Sequence, residues 1–327
     1  IKDVVIWDVA VERQVQIKGP DAFKFTNYIT TKDLNKCKVN QCKFTLICDG
    51  NGGIINDPVL SRLDDNLFWL SISDSDVLLW AKGLAHNSKW NVELSEPDVA
   101  PMQVQGPKSR PLMISIFGSK IESLPYYHNM ETTLSGMSML VTRTGYTGEI
   151  GYEIYLKNAQ KDGIKLWNTM LEAGKSYNIS PGGPSLIRRL EHGIRNYGQD
   201  MRLENNPYEV GLGFAVDLDQ EADFIGKKAL IQIKKQKLKQ KIVGIEFGTE
   251  RMKGWNEDCW PVMESGKQIG KVTTAAYSPG LKKNIGYAML PIEKTEIGTK
   301  ITILARGVKT GATVIKEPFV KGKEKDK

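Results

Sequence analysis

Twice in this chain an alternating, strand-like run ends in Gly-Pro and a helical pattern begins at once. That repeat limits the available folds more than any other feature. In the first copy Val9 to Ile17 alternates toward its end, Gly19-Pro20-Asp21 breaks it, and Ala22 to Tyr28 continues with helical spacing. Pro20 and Asp21 suit a first helical turn, where the missing N–H is no loss and a negative charge meets the positive end of the helix dipole. In the second copy Met102-Gln-Val-Gln105 runs into Gly106-Pro107, and Leu112, Met113, Ile116 and Phe117 recur at helical intervals. A duplicated strand–turn–helix unit predicts two related α+β lobes, and the groove between such lobes is a common place for a ligand.

Between the copies Cys42, Phe44 and Leu46 alternate, Asp49 to Gly53 makes a turn, and Ile54 to Leu60 returns. Asp57 precedes Pro58, which ends regular pairing, so its carboxylate sits at a strand end. As a lone residue it reads as a turn aspartate. Leu67 to Ile72 is a further strand, and Ser75 to Lys82 opens a helix capped by Asp74 or Ser75. Downstream, Lys161 to Gly174 is an amphipathic helix with Leu166, Trp167, Met170 and Leu171 inward. A second helix is expected with Ser185 as cap, Leu186, Ile187, Leu190, Ile194 and Tyr197 as its buried stripe, and Gly198 as its stop. Arg188, Arg189, Glu191 and Arg195 lie off the centre of that stripe, where charged residues usually form surface pairs. After a Lys-rich run, Lys234 to Lys241, short strands at Ile242 to Glu246, Val262, Gln268 to Thr273 and Ile285 to Leu290 predict a small antiparallel barrel.

The stretch Val141 to Leu156, V-T-R-T-G-Y-T-G-E-I-G-Y-E-I-Y-L, carries Gly145, Gly148 and Gly151 at intervals of three. It reads as a loop that receives something flat, because glycine lets backbone approach a ligand closely. After Gly151, alternation puts Tyr152, Ile154 and Leu156 on one face and Glu153 and Tyr155 on the other. A carboxylate fixed on a strand at Glu153 accepts two parallel hydrogen bonds from an amino group and a ring N–H. A solvent-facing glutamate of a hairpin is the other reading of the same residues.

Composition narrows the function. The chain has 327 residues, 40% hydrophobic and 25% charged, enough for two or three domains. No run of about 18 apolar residues occurs and Ile1-Lys2-Asp3 does not open a signal peptide, so a soluble cytoplasmic protein without membrane contact is expected. The start lacks a methionine and enters a strand-like run almost at once, as if an upstream segment were missing. Four cysteines and three histidines without ligand spacing predict no metal and no disulfide, and the lack of G-x-G-x-x-G after a strand predicts no flavin. The net charge of +7 is concentrated in Lys234 to Lys241 and in Lys321 to Lys327. No aromatics interleave those runs, which argues against nucleic acid. An acidic small molecule suits the mild positive field.

Thr144-Gly-Tyr-Thr-Gly-Glu-Ile-Gly-Tyr-Glu-Ile154 resembles the signature loop of the glycine-cleavage T-protein (aminomethyltransferase) family. The resemblance extends through Gly52 to Asp57, Ile187 to Met201, Asn206 to Gly213, Asp223 to Leu230 and Ala276 to Ala288, nearly the whole chain. It implies a three-lobed architecture: a folate-binding region of two α+β lobes over 1–238, a C-terminal antiparallel β-barrel over 239–320, and a disordered basic tail over 321–327. It also implies tetrahydrofolate as one-carbon acceptor, with Glu153 on the pterin, Tyr146, Arg189 and Tyr197 as further folate contacts, and Asp57 as the catalytic aspartate.

Ile6 to Val15, Asn56-Asp-Pro-Val59, Ser71 to Val77 and Ala81 to Ala85 are similar to the tetrahydrofolate-dependent dimethylsulfoniopropionate demethylase branch, although Tyr146 and Thr147-Gly-Glu149 depart from it. That branch implies methyl transfer from a small sulfonium or betaine-type donor to N5 of tetrahydrofolate. Trp7, Tyr146 and Tyr197 are then candidates to shelter the cation, and Arg13 to meet a donor carboxylate; each also reads as packing or surface charge. Aminomethyl transfer from a lipoyl carrier protein is the alternative, weakened by Val11-Glu12 where that enzyme has His-Met. A non-enzymatic folate-binding regulator is the second alternative. A homodimer is allowed.

Overall fold

The computed structural model describes residues 2–73, 75–86 and 88–324. One mixed sheet runs, in spatial order, Asn129–Leu134, Met137–Thr142, Gly151–Lys157, Val99–Gln105, Val4–Asp8 and Ile179–Pro181. Its pairs are antiparallel except the last, which is parallel. A second sheet runs Cys42–Phe44, Val59–Asp64, Leu67–Ser71, Gln14–Lys18 and Glu93–Ser95, with a two-stranded ribbon, Ile47–Cys48 and Ile54–Asn56, beside it. The third unit is a closed six-stranded antiparallel barrel formed by Gln240–Phe247, Lys283–Pro291, Lys267–Ser278, Trp260–Glu264, Lys300–Ala305 and Val308–Ile315.

Each lobe buries one face of its sheet against helices. In the first, Ile17, Leu60, Phe68 and Leu70 meet Phe25 and Ile29 of the helix Ala22–Ile29 and Val77 and Ala81 of the helix Val77–Ala85. In the second, Val104, Ile154 and Leu156 meet Leu112 and Met113 of the helix Ser109–Phe117 and Leu166 and Met170 of the helix Ala159–Gly174. A further cluster takes Cys48 and Ile54 from the ribbon, Leu190 from the helix Leu186–Glu191, and Ile285, Tyr287 and Met289 from the barrel. Because that core draws on lobe and barrel together, the units are held as one body by apolar burial.

The Gly-Pro repeat is structural in both copies. Gly19 and Gly106 have φ of +129° and +124°, and an added Cβ would lie 2.7 Å from the Asn91 carbonyl oxygen or 2.3 Å from that of Asp3. Both turns therefore need glycine for conformation and for space.

Several elements differ from expectation. The helix after Ser75 starts at Val77, and Asp76 at its N-cap makes no side-chain capping bond; Asp74 lies outside the described residues. Ser185 does cap its helix, accepting from Arg188 N–H at 3.2 Å, but the helix ends at Glu191 because Gly193 turns the chain at φ +78°. Tyr197 is thereby moved to a loop, bridged to Met201. Lys234 and Lys235 finish the helix Lys227–Lys235, and Gln240 already begins the barrel. The strands Lys300–Ala305 and Val308–Ile315, absent from the sequence reading, close it. Val320 and Lys323 donate their backbone N–H groups to Glu191 O and Gly148 O, so the last described residues run along the glycine loop. Lys325, Asp326 and Lys327 lie outside the described residues.

Gly106→Ala is expected to lower the thermal midpoint by several degrees, with about 2 kcal/mol or more lost to strain and collision. Gly163→Ala, in a helix with open space around it, should instead gain about 0.5–1 kcal/mol. Calorimetric scans of the two variants giving equal shifts would refute the argument from the turn.

Candidate functional site

The face of the mixed sheet opposite its helices carries the signature residues. Trp7 pairs with Gln103, Gln103 with Glu153, and Glu153 with Thr142, so these four stand in one row across adjacent strands. Period-2 alternation keeps the row on the side away from Val104 and Ile154. Glu153 is buried yet surrounded by donors. Gln103 Nε2 donates to its Oε1 at 2.5 Å, and Thr144 Oγ1, Tyr155 OH and Thr142 Oγ1 donate to Oε2 at 2.5, 3.1 and 3.5 Å. Burial pushes its carboxyl upward, and these four bonds pull it back toward the ionised form.

Asp57 sits between the strands Ile54–Asn56 and Val59–Asp64, where Pro58 interrupts pairing. Its neighbour Asn56, fully buried, is the staple of this corner. Asn56 Oδ1 accepts from Asp57 and Ser73 N–H at 3.0 and 3.2 Å, and its Nδ2 donates to Ser73 O and Ser75 Oγ. Ser73 Oγ donates to Asp57 Oδ1 at 2.9 Å. Burial raises the Asp57 carboxyl to about 7; Ser73 and Arg189 oppose the rise, and Asp200 adds to it.

Behind this corner lies a buried ion pair. Arg189, 1% exposed, donates to Asp200 Oδ2 at 2.5 Å, Gln199 Oε1 at 2.8 Å, Thr274 Oγ1 at 2.9 Å and Ile194 O at 3.3 Å. Asp200 also accepts from Thr273 and Thr274 hydroxyls at 2.7 and 2.6 Å. Arg188 joins Glu149 of the glycine loop to Glu191, whose other oxygen accepts from Ser278 Oγ. The arginines expected on the surface are therefore interior ties between the loop, the helix Leu186–Glu191 and the barrel. Gly148 packs against His192 so closely that a Cβ would lie 2.2 Å from its ring.

The remaining predicted residues fall around this centre. Tyr146 and Tyr197 are half-buried, and Asp57 is among the charges acting on both phenols. Trp7 is buried, with no hydrogen-bond partner for Nε1. Arg13 lies on the flank, its guanidinium tied to Ser75 O at 3.2 Å and Glu96 at 3.4 Å. Two neighbours escaped the sequence reading. Glu12, in the turn after Val4–Asp8, makes no side-chain hydrogen bond or ion pair among the described residues; burial, Glu153 and Asp57 raise its carboxyl to about 8. Gln103 was passed over, although two glutamines alternating in M-Q-V-Q on a buried strand are a signal of a polar interior face. No group of three or more His, Cys, Asp or Glu able to hold a metal occurs among the described residues. A polar surface cleft at Asp49–Gly53 and Leu203–Asn206, and a depression beside Asn168 and Glu172, contain none of these site residues.

A family model described as the GCVT N-terminal domain matches residues 1–220, and one described as the glycine cleavage T-protein C-terminal barrel domain matches residues 240–321. The chain belongs to the glycine cleavage T-protein family. A dimethylsulfoniopropionate demethylase DmdA from Ruegeria pomeroyi is 35% identical over 300 residues, covering 92% of this chain and 81% of the relative. An aminomethyltransferase from Alkaliphilus metalliredigens is 33% identical over 324 residues, covering 97% and 86%. The crystal structure of glycine cleavage system aminomethyltransferase T from Bartonella henselae matches with a TM-score of 0.87 at 22% identity, over 98% of this chain and 87% of that one. The T-protein fold expected from sequence, two α+β lobes and a closed barrel, is the fold observed, and the demethylase is among the family members it resembles.

The raised Asp57 carboxyl sets a pH signature. The folded state holds its proton more tightly than the unfolded chain, whose aspartate titrates near 3.8, so stability is full below about pH 4 and declines as pH rises through about 7. Asp57→Asn removes the titration. Its stability should exceed the parent's by a margin that widens by about 1–2 kcal/mol from pH 5 to pH 8, a figure discounted for water around a half-buried group. Thermal midpoints showing a pH-independent margin would contradict this.

Proposed function

We propose that this chain transfers a methyl group from a cationic donor, a sulfonium or quaternary ammonium, to N5 of tetrahydrofolate. The observation carrying this reading is Glu12, an unpartnered, half-buried carboxyl beside two others, Asp57 and Glu153. An electronegative pocket of this kind disfavours its own ionisation and favours any cation that enters it. Tetrahydrofolate suits the other side of the site. Glu153 Oε1 accepts only one bond, from Gln103, and so keeps capacity for a ligand N–H.

The residues then divide the work. Glu153 orients the pterin, and Tyr146 and Tyr197 are placed to line its approach. Trp7 and Glu12 face the donor, one offering ring surface and the other a counter-charge. Arg189 has its guanidinium bonded to Asp200, Gln199, Thr274 and Ile194, so it acts through its field on Asp57. The donor's C–S or C–N bond breaks as the N5–C bond forms, and the positive charge moves from donor to N5. N5 is already a neutral nucleophile, so Asp57 stabilises the developing charge and receives the N5 proton afterward. Arg13, whose guanidinium donates to Ser75 O, is the residue we assign to a carboxylate on the donor's far end.

Aminomethyl transfer is the second reading, supported by aminomethyltransferase relatives at 33–34% identity over nearly the whole chain. A folate-binding protein without turnover is the third. Cytoplasmic location and a small-molecule donor without a carrier protein belong to the first reading.

Three variants test it, with turnover followed as 5-methyl-tetrahydrofolate. Asp57→Asn should keep folate affinity and lose about a hundred- to a thousandfold in kcat, and in the parent kcat/KM should rise with pH through an inflection near 7, where the Asp57 carboxyl ionises. Glu12→Gln should raise KM for a cationic donor about tenfold while folate affinity holds. Glu153→Ala should weaken folate binding about ten- to a hundredfold. Asp57→Asn turning over within about threefold of the parent would return Asp57 to its turn.

A further inference from the structure

His192 stands where three segments meet that the chain keeps apart. Its ring lies against Gly148 of the glycine loop, its backbone closes the helix Leu186–Glu191, and the last described residues cross beside it. Each ring nitrogen has a partner that admits only one role. Nδ1 lies 3.2 Å from Val320 O, which can only accept, so Nδ1 carries the proton. Nε2 lies 2.8 Å from Arg188 Nη2, which can only donate, so Nε2 keeps its lone pair. The two contacts together fix one tautomer of a neutral imidazole. Arg188 also donates to Glu149 Oε1 at 2.5 Å and to Glu191 Oε2, so the fork that ties the glycine loop to the helix is filled only while His192 accepts. The C-terminal segment completes the junction, with Val320 N–H donating to Glu191 O at 2.9 Å and Lys323 N–H to Gly148 O at 2.7 Å.

A second proton on His192 sets N–H against N–H across 2.8 Å and brings two positive charges together. The groups facing the ring are Arg188 and Glu191 from its own helix, Glu149 from the glycine loop and the Val320 carbonyl from the C-terminal segment. Burial and Arg188 hold the ring neutral, the two carboxylates and the carbonyl oppose them, and the balance leaves its pKa below the ordinary 6.5. We infer that His192 is a positioning residue: its neutral Nδ1–H tautomer latches the glycine loop, 144–150, to the helix and to the C-terminal segment, and protonation releases the latch. The unfolded chain binds this proton more readily than the folded one. The latch is therefore complete above about pH 6.5 and is lost as pH falls from there through the lower folded value. It depends on the loop's own contacts, whichever ligand the loop receives, and so goes beyond the folate reading.

Hydrogen-exchange mass spectrometry of the unliganded protein, corrected for the intrinsic pH dependence of exchange, tests the latch. Protection of the peptide covering 144–151 should fall about tenfold between about pH 7.5 and about pH 5, roughly the worth of one hydrogen bond to a charged group. The barrel strand Lys283–Pro291 should hold its protection over that range. In His192→Gln, whose side-chain carbonyl accepts from Arg188 without titrating, the loop should change by less than about threefold. Loop protection in the parent that is flat with pH, or an equal fall in His192→Gln, would overturn the latch. If His192→Gln fails to fold, the parent still decides. Histidine nitrogen NMR, with His192 identified by elimination through His86→Gln and His128→Gln, should show a protonated Nδ1 and an unprotonated Nε2 near neutral pH, and that state should disappear together with the loop's protection. The opposite tautomer, or a titration that leaves the loop's protection unchanged, would refute the assignment. Folate binding enters none of these readouts, so their failure leaves the folate reading standing.

Discussion

Arg189 and Asp200 form the interaction on which the rest of the molecule depends, because the pair is buried and its hydrogen bonds span units that the sequence keeps far apart. Arg189 belongs to the helix Leu186–Glu191, Asp200 to the loop that follows, and Thr273 and Thr274 to a barrel strand. Charges taken out of water are costly unless every donor and acceptor is met, and here they are met by side chains of the barrel. Removing one partner of such a pair typically costs about 3–5 kcal/mol, since the other charge is left stranded. The same pair acts on Asp57 with opposite signs, so holding the barrel in place and tuning the Asp57 carboxyl are one piece of electrostatics.

The central region is a balance between apolar burial and like charge. Glu153 and Asp57 both act on Glu12, and of the three only Glu153 is wrapped in donors. Asp57 has Ser73 and the field of Arg189; the Glu12 side chain has neither a hydrogen bond nor an ion pair among the described residues. The apolar clusters on either side supply the rigidity that keeps like charges from relaxing apart.

Much of this was legible in the residues. The Gly-Pro repeat marked both lobes because its glycines take positive φ against a neighbouring carbonyl, a demand no other residue meets. The alternation after Gly151 assigned Tyr152, Ile154 and Leu156 to the core and Glu153 to the opposite face, as observed. Periodicity failed where tertiary contacts decide. The stripe from Leu186 to Tyr197 fits a helix throughout, yet Gly193 turns the chain and frees Tyr197 to lie near Asp57. The arginines beside that stripe looked like surface charges because two of their partners, Glu149 and Thr274, come from distant segments and the third, Asp200, is brought back by the loop after the helix. Glu12 escaped notice for the same reason: its significance comes from two carboxyls 45 and 141 residues away, Asp57 and Glu153. Asn56 looked like one more strand residue, and only the fold reveals that it ties Asp57 to Ser73 and Ser75.

The readings part at the oxidation level of the carbon delivered to folate. The most direct measurement is mass spectrometry of the folate after a single turnover with tetrahydrofolate and a mixture of deuteromethyl sulfonium and betaine donors. Methyl transfer to N5 predicts 5-methyl-tetrahydrofolate carrying all three deuterons of one donor. Folate returned unlabelled from every such donor, together with 5,10-methylene-tetrahydrofolate formed from an aminomethyl-lipoyl carrier, would contradict it.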